Sequence, residues 1–114
     1  TWGLEARFVD SQGTFAYNLT NMPIINRDGA QGALTGNVTQ AQPGWFVNAP
    51  AADLHLQALA TSAIDKAAPL AQVTSDFDGD ARPIGLAPDV GADEHGAAPP
   101  PVYNSFIYLP LVLK

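Results

Sequence analysis

Apolar residues alternate with polar or small residues in short runs along the first half of the chain, and turn-forming residues separate these runs. A period of two residues predicts β-strands, and no long stretch has the helical period of about 3.6 residues. The predicted strands are Leu4–Val9, Thr14–Leu19, Ala33–Val38, Trp45–Val47, Asp53–Gln57 and Ser105–Leu113. One helical turn is predicted at Thr61–Ala67, where Thr61 or Ser62 would cap an alanine-rich segment. The pattern therefore predicts an all-β fold.

Two segments, Phe15–Thr20 and Leu34–Thr39, nearly repeat each other at a spacing of 19 residues. Because alternate residues of a strand lie on one face, we expect the apolar side chains of the two segments to form one row. We also expect Asn18 to stack on Asn37, on the other face. Such rows, at a repeat of about 20 residues, are typical of a parallel β-solenoid. A chance similarity between two short strands is the alternative interpretation.

The repeat ends near residue 60, and proline and glycine then interrupt the chain frequently. This change predicts four segments along the sequence. They are the last β-helix coils at 1–60, an irregular cap at 61–96, a proline-rich spacer at 97–101 and an apolar C-terminal tail or strand at 102–114. We expect the tail to pack on the domain, on another chain or on upstream coils, because an exposed apolar strand promotes aggregation.

Composition excludes several classes of function. The chain has 114 residues, 14% of them charged, and a net charge of −6 with only five scattered lysines and arginines. A nucleic-acid surface needs clustered basic residues, so nucleic acid is not an expected partner. No stretch approaches the roughly 20 apolar residues of a membrane-spanning helix. The absence of cysteine excludes disulfides, thiolate catalysis and zinc–thiolate sites.

A series of short motifs carries a resemblance to a known group of proteins. The motifs are Gly36–Thr39, Trp45–Asn48, Asp53–Gln57, Ser62–Asp65, Asp76–Gly79, Arg82–Pro83 and Asp89–Glu94. Their order resembles the C-terminal coils and finishing segment of secreted bacterial right-handed parallel β-helix proteins, a group that includes choice-of-anchor proteins and polysaccharide lyases. The resemblance implies a right-handed parallel β-helix at the bacterial cell surface or outside the cell.

The resemblance also implies a function. It favours a non-catalytic C-terminal capping segment of an extracellular β-helix protein that associates with polysaccharide. One alternative is part of a polysaccharide lyase or glycoside hydrolase whose catalytic coils lie upstream, and another is a carbohydrate-binding or adhesion module. No catalytic residue is carried over, because the catalytic groove of such enzymes lies on the middle coils. Fold alone does not decide between these functions.

Three aspartates, Asp76, Asp78 and Asp80, form an acidic run around Gly79. One interpretation is a calcium site, because calcium prefers several carboxylate oxygens on a tight loop. A second is a turn, in which Asp76 and Asp78 accept backbone N–H groups and Gly79 adopts a positive φ. A third is a pair of glycosidase carboxylates. Apart from calcium, no cofactor is expected.

A structural set is predicted for Arg82, Asp89 and Glu94, because a planar guanidinium can bridge two carboxylates. We expect a contact of Arg82 with Asp89 or with Glu94. His55 is expected at the surface, and His95 lies too far along the chain to suggest a shared metal motif.

Aromatic residues could offer a sugar-stacking surface, or they could fill the core. Those considered are Trp2, Tyr17, Trp45, Tyr103 and Tyr108.

Overall fold

A computed structural model describes residues 3–96 of the chain. Its strands are β1 (Leu4–Arg7), β2 (Gln12–Ala16), β3 (Ile24–Arg27), β4 (Gln31–Thr35), β5 (Phe46–Asn48) and β6 (Asp53–Leu56). Short 3-10 helices lie at Pro43–Trp45 and Ala49–Ala51. Strand accounts for 31% and helix for 6% of this part of the chain, which confirms the all-β class.

Strands β2 and β4 pair in parallel, with Phe15 opposite Leu34. Farther along, an isolated parallel bridge joins Leu19 to Val38. Both pairings have the spacing of 19 residues that the sequence repeat predicts. The predicted register of this pair of segments is therefore confirmed.

Strands β1 and β3 also pair in parallel, with Leu4 opposite Ile24. The sequence separation between paired residues is one residue larger here than for β2 and β4. The reason is that residues 8–11 connect β1 to β2, whereas only residues 28–30 connect β3 to β4. Strand β3 is not among the predicted strands, because its Ile-Ile-Asn-Arg sequence does not alternate between apolar and polar residues. Because β1 pairs with β3 and β2 pairs with β4, two successive turns of the chain lie side by side. The first turn contains β1 and β2, and the second contains β3 and β4.

A left-handed bend ends both β2 and β4 before the predicted limits of these strands. Tyr17 has φ 55° and Gly36 has φ 61°, at equivalent positions of the repeat. The Tyr17 ring lies against Gly36, so closely that a Cβ atom at residue 36 would overlap the ring. The predicted strands Thr14–Leu19 and Ala33–Val38 are therefore each interrupted, although the stacking across them persists.

Strands β5 and β6 form an antiparallel hairpin, with Phe46 opposite Leu56 and Asn48 opposite Asp53. Ala52, with φ 63°, provides the left-handed residue that closes its connection. Parallel pairing is thus replaced by an antiparallel hairpin within the predicted coil segment 1–60.

Beyond β6 the described chain is irregular, and its only ladder contact is a bridge between Ser75 and Ala81. The predicted helical turn at Thr61–Ala67 is a hydrogen-bonded turn in which the N–H groups of Ala63 and Ile64 both donate to the carbonyl oxygen of Ala60. No α-helix forms among residues 3–96, nor does any helix there have the length and apolar character needed to cross a membrane.

A small core lies where the stacked parallel strands meet the irregular segment, which begins after β6 and runs to residue 96. Its buried members are Leu56, Ala60, Ala63, Ala67 and Val90. Half-buried apolar side chains pack around them, namely Tyr17, Leu19, Val38, Trp45, Phe46 and Ile64. The N–H of Gly91 donates to the carbonyl oxygen of Tyr17 at 2.8 Å, which fixes the irregular segment to the first turn of chain.

The spacer at 97–101, the tail at 102–114 and the predicted strand Ser105–Leu113 lie outside the described residues. Trp2, Tyr103 and Tyr108 also lie outside them.

Candidate functional site

The predicted asparagine stack joins the two successive turns of chain. Oδ1 of Asn37 accepts hydrogen bonds from the backbone N–H and the side-chain amide of Asn18, both at 2.9 Å. Nδ2 of Asn37 donates to the carbonyl oxygen of Phe15 at 2.8 Å. These bonds satisfy backbone groups beside the left-handed bend, where the regular ladder is interrupted. The predicted proximity of Asn18 and Asn37 is confirmed, and their hydrogen bonds join the two stacked segments.

Arg82 lies at the centre of the irregular segment, with only 8% of its side chain exposed. Its guanidinium donates to the carbonyl oxygens of Asp89 and Gly91, at 3.2 and 2.7 Å. Nη1 is 3.8 Å from Oε2 of Glu94, so the expected contact between Arg82 and Glu94 is present. With Asp89, Arg82 bonds the backbone carbonyl rather than the carboxylate.

The carboxylates of Glu94 and Asp89 instead accept backbone N–H groups. Glu94 accepts from Ile84 at 3.1 Å and from Asp89 at 2.6 Å, while Asp89 accepts from Asp65 at 2.8 Å and from His95 at 2.6 Å. Both residues are almost fully buried, with exposures of 2% and 3%. Because a segment without a ladder must satisfy its buried N–H groups in another way, these side chains hold its shape.

Asp76 anchors the acidic loop. Its Oδ1 accepts from the N–H groups of Asp78 and Asp80, and its Oδ2 accepts from the N–H of Glu94. Burial alone would raise the pKa of Asp76, but these three hydrogen bonds outweigh it and hold the pKa below its usual value. Gly79 has φ 89°, as the turn interpretation predicts. Asp76 therefore holds the backbone of this turn, as the turn interpretation predicts.

The three aspartates of the loop nevertheless lie close together. Asp76, Asp78 and Asp80 each offer one carboxylate oxygen within 4.8 Å of the other two. Such a spacing is compatible with calcium, and the calcium hypothesis stays a prediction. The Asp78 carboxylate differs from the turn interpretation, because it bonds a histidine ring and no backbone N–H group of residues 3–96.

That histidine is His55 on β6, and the sequence pattern does not predict the cluster around it. Nδ1 of His55 lies 2.5 Å from Oδ1 of Asp53, and Nε2 lies 2.7 Å from Oδ2 of Asp78. These two carboxylates raise the pKa of His55 to about 9. His55 is partly exposed, as expected, but it bridges a strand and a loop. The contact with Asp53 could have been predicted, because residues two apart on a strand lie on the same face.

Asp93, which lies in the irregular segment, is the third member of the cluster with His55 and Asp78. It is 6% exposed, and its Oδ2 accepts the N–H of Leu56 at 2.6 Å. Burial raises the pKa of Asp93 above its usual value. One oxygen of Asp93 lies within 4.8 Å of a ring nitrogen of His55 and of an oxygen of Asp78. The sequence pattern does not predict that Asp93 lies near His55 and Asp78, because the three residues are far apart along the chain.

A cavity of about 510 Å³ opens beside the cluster. Asp53, His55 and Asp93 form its polar part. Its apolar part is lined by Leu19, Phe46, Leu54, Leu56, Phe77 and Val90. The Phe77 ring also contacts the imidazole of His55, with ring centroids 5.2 Å apart. An apolar concavity with a few convergent polar groups is the usual form of a small-ligand site.

Tyr17 and Trp45 do not form an exposed platform, because both pack against the core. In chemical terms, the described residues provide an imidazole flanked by carboxylates, which hold it protonated at neutral pH, so a metal ion that binds the ring must displace that proton. A scan against protein-family models, a search of curated proteins and a search of solved structures each found no match to this chain.

Proposed function

We propose that this chain contains the last two coils and the cap of a right-handed parallel β-helix, and that it serves as a non-catalytic structural end of an extracellular protein. The observation that carries the proposal is the in-register parallel stacking of Phe15 on Leu34, together with the Asn18–Asn37 hydrogen bonds at the same spacing. Parallel strands joined by a crossover are right-handed in almost all known cases, which supports the handedness.

The outer edges of β1 and β2 support the presence of a preceding coil. Among residues 3–96, β1 pairs only with β3 and β2 only with β4, so one edge of each has no strand partner. Leu4, Phe8 and Val9 on this first turn are 39%, 61% and 64% exposed. Proteins generally cover or modify an exposed edge that carries apolar side chains. A further coil would pair with these edges and bury these side chains.

The irregular segment supports the closing role. After β4 the chain forms the antiparallel hairpin β5–β6 and then a segment that meets the apolar row of the coils through Val90 and Gly91. Its buried N–H groups are satisfied by carboxylates rather than by another strand. Such a segment adds no new ladder for a following coil, which is what a cap requires.

The extracellular location and the association with polysaccharide rest on the resemblance of the motifs. Tyr17 and Trp45 pack on the core, which favours a structural role over a carbohydrate-binding platform. Catalysis, in the alternative of a lyase or hydrolase, would belong to coils preceding β1.

Hydrogen exchange on the complete natural polypeptide, compared with the 114-residue chain, tests this proposal. We expect the amides of β1 and β2 to exchange more slowly in the complete polypeptide, because a preceding coil would bond their free edge. The amides of β6 serve as the control and should change little. Equal exchange of β1 and β2 in the two proteins, or a natural polypeptide with no strand-forming sequence before β1, would contradict the proposal.

A further inference from the structure

Three side chains that are distant in sequence converge beside the 510 Å³ cavity, whose wall includes His55 and Asp93 but not Asp78. His55 comes from β6, Asp78 from the acidic loop and Asp93 from the irregular segment, and each offers a ligand atom within 4.8 Å of the other two. The set differs from the acidic run of the loop, because it contains an imidazole. Imidazole with carboxylates is a common ligand set of zinc and of related divalent transition metals, whereas calcium takes oxygen ligands.

Asp93 brings a second carboxylate to the wall of the cavity. Only 6% of Asp93 is exposed. Its Oδ2 accepts the N–H of Leu56, but Oδ1 has no hydrogen-bond donor among the described residues. This oxygen is not fully buried, and Asp93 lines the cavity, so Oδ1 is accessible to an ion there. An ion bound by Asp93 would lie close to the ring of His55 and the carboxylate of Asp78, since one ligand atom of each is within 4.8 Å of the other two.

Asp53 holds the imidazole in the orientation that metal binding needs. Its Oδ1 lies 2.5 Å from Nδ1 of His55, so Nε2 is directed toward Asp78. Histidine ligands of metals usually donate their other ring N–H to a carboxylate, which fixes the tautomer and the ring orientation. Asp53 is therefore a positioning residue and not a ligand.

We propose that His55 Nε2, Asp78 and Asp93 form a binding site for a divalent transition metal of the zinc class, with Asp53 orienting the imidazole. The adjoining cavity leaves room for a fourth ligand, either water or a group of a bound molecule. The metal would link β6 to two parts of the irregular segment, the acidic loop at Asp76–Asp80 and the stretch around Asp93, in addition to the hydrogen bonds that already join them. This inference is independent of the proposed capping function.

Isothermal titration of the full chain with Zn²⁺, together with the thermal unfolding midpoint with and without Zn²⁺, tests the site. We expect one Zn²⁺ per chain and a higher midpoint, because a ligand that binds only the folded state stabilises it. His55→Ala should abolish binding, and Asp53→Ala should weaken it roughly 10- to 100-fold. Co²⁺ should give a visible absorption spectrum of the bound ion that His55→Ala removes.

Two control variants distinguish this site from binding at the second histidine and from binding at the acidic loop. His95→Ala is the matched control, because it removes the other histidine and should leave Zn²⁺ binding unchanged. Asp80→Asn alters only the acidic loop and should also preserve Zn²⁺ binding. Asp93→Asn removes a ligand of the site, so loss of binding is expected, and circular dichroism checks that this variant folds.

Three results would overturn the proposal. The wild-type chain could fail to bind Zn²⁺, or it could bind Zn²⁺ equally well after His55→Ala. Finally, Asp80→Asn could abolish cation binding while His55→Ala preserves it, a result that assigns the cation to the acidic loop alone.

Discussion

At the scale of single residues, buried carboxylates determine the shape of the irregular segment. Asp76, Asp89 and Glu94 each accept at least two backbone N–H groups, and all three have exposures of 9% or less. A buried N–H that loses its acceptor costs about 1–3 kcal/mol, so each carboxylate stabilises the fold more than an exposed ion pair does.

Glu94→Ala tests this role. The change leaves the N–H groups of Ile84 and Asp89 without their acceptor and removes the carboxylate near Arg82. We expect the free energy of unfolding to fall by roughly 3 kcal/mol, measured by urea denaturation. Asp10→Ala, at an exposed position, is the control and should change it by less than about 0.5 kcal/mol. Similar values for the two variants would show that the carboxylate of Glu94 is not structural.

Gly36→Ala tests the left-handed bend. A side chain at residue 36 is disfavoured by φ 61° and would also overlap the ring of Tyr17. We expect a loss of roughly 2–4 kcal/mol in the free energy of unfolding, from backbone strain and overpacking together. Gly13→Ala is the matched control, because open space surrounds that position. Equal tolerance of both changes would argue against the stacking of Tyr17 on Gly36.

His55 makes stability depend on pH. Its pKa is about 9 in the folded chain, because the carboxylates of Asp53 and Asp78 face its two ring nitrogens. The ordinary value of 6.5 applies after unfolding. Because the folded pKa is the higher one, the contribution is complete below about pH 6.5 and disappears as the pH rises through 9.

The unfolding midpoint of the wild type and of His55→Gln, measured from pH 6 to pH 10 in a metal chelator, checks this prediction. The midpoint of the wild type should exceed that of the variant at pH 6, and the difference should shrink as the pH rises. A constant difference over this range would contradict the assigned pKa.

At the scale of the elements, the sequence repeat predicted the β2–β4 register and the asparagine contact, because both depend on residues that recur at one spacing. It did not predict β3, since Ile24–Arg27 lacks alternation and its offset from β1 is one residue larger. It also placed Tyr17 and Gly36 inside strands, because a side-chain pattern does not reveal a left-handed bend between stacked residues.

The candidate site was less predictable than the strands. The alternation around His55 indicated that it shares a face with Asp53, but the contact with Asp78 spans 23 residues of sequence. A contact of that kind depends on the path of an irregular segment, which has no periodicity to detect. For the same reason, the contact of Arg82 with Glu94 was predictable only as a choice between two carboxylates.

Asn37→Ala tests the link between successive turns of chain. The variant loses three hydrogen bonds, two from Asn18 and one to Phe15. We expect the free energy of unfolding to fall by about 2–3 kcal/mol in urea denaturation. Asn21→Ala, at an exposed position, is the control and should have little effect. If the two substitutions have the same effect, the asparagine stack does not stabilise the fold.

At the scale of the whole molecule, parallel stacking, an antiparallel hairpin and a carboxylate-bonded segment follow one another along the chain. The stacked turns supply an apolar row, and the irregular segment packs on this row through Val90. The His55 cluster lies where β6 meets the irregular segment, so a cation there would strengthen the junction on which the proposed cap depends.

The central claim is that residues 12–19 stack in parallel and in register on residues 31–38. Because the chain has no cysteine, an introduced pair supplies the only thiols. Thr14 pairs with Ala33, and the roughly 4.8 Å between neighbouring strands lies within disulfide range, whereas Thr14 and Thr35 are more than about 7 Å apart. Under mild oxidation, the Thr14→Cys/Ala33→Cys variant should form an intramolecular disulfide rapidly and the Thr14→Cys/Thr35→Cys variant should not. Equal rates, or faster closure of the second pair, would contradict the stacking.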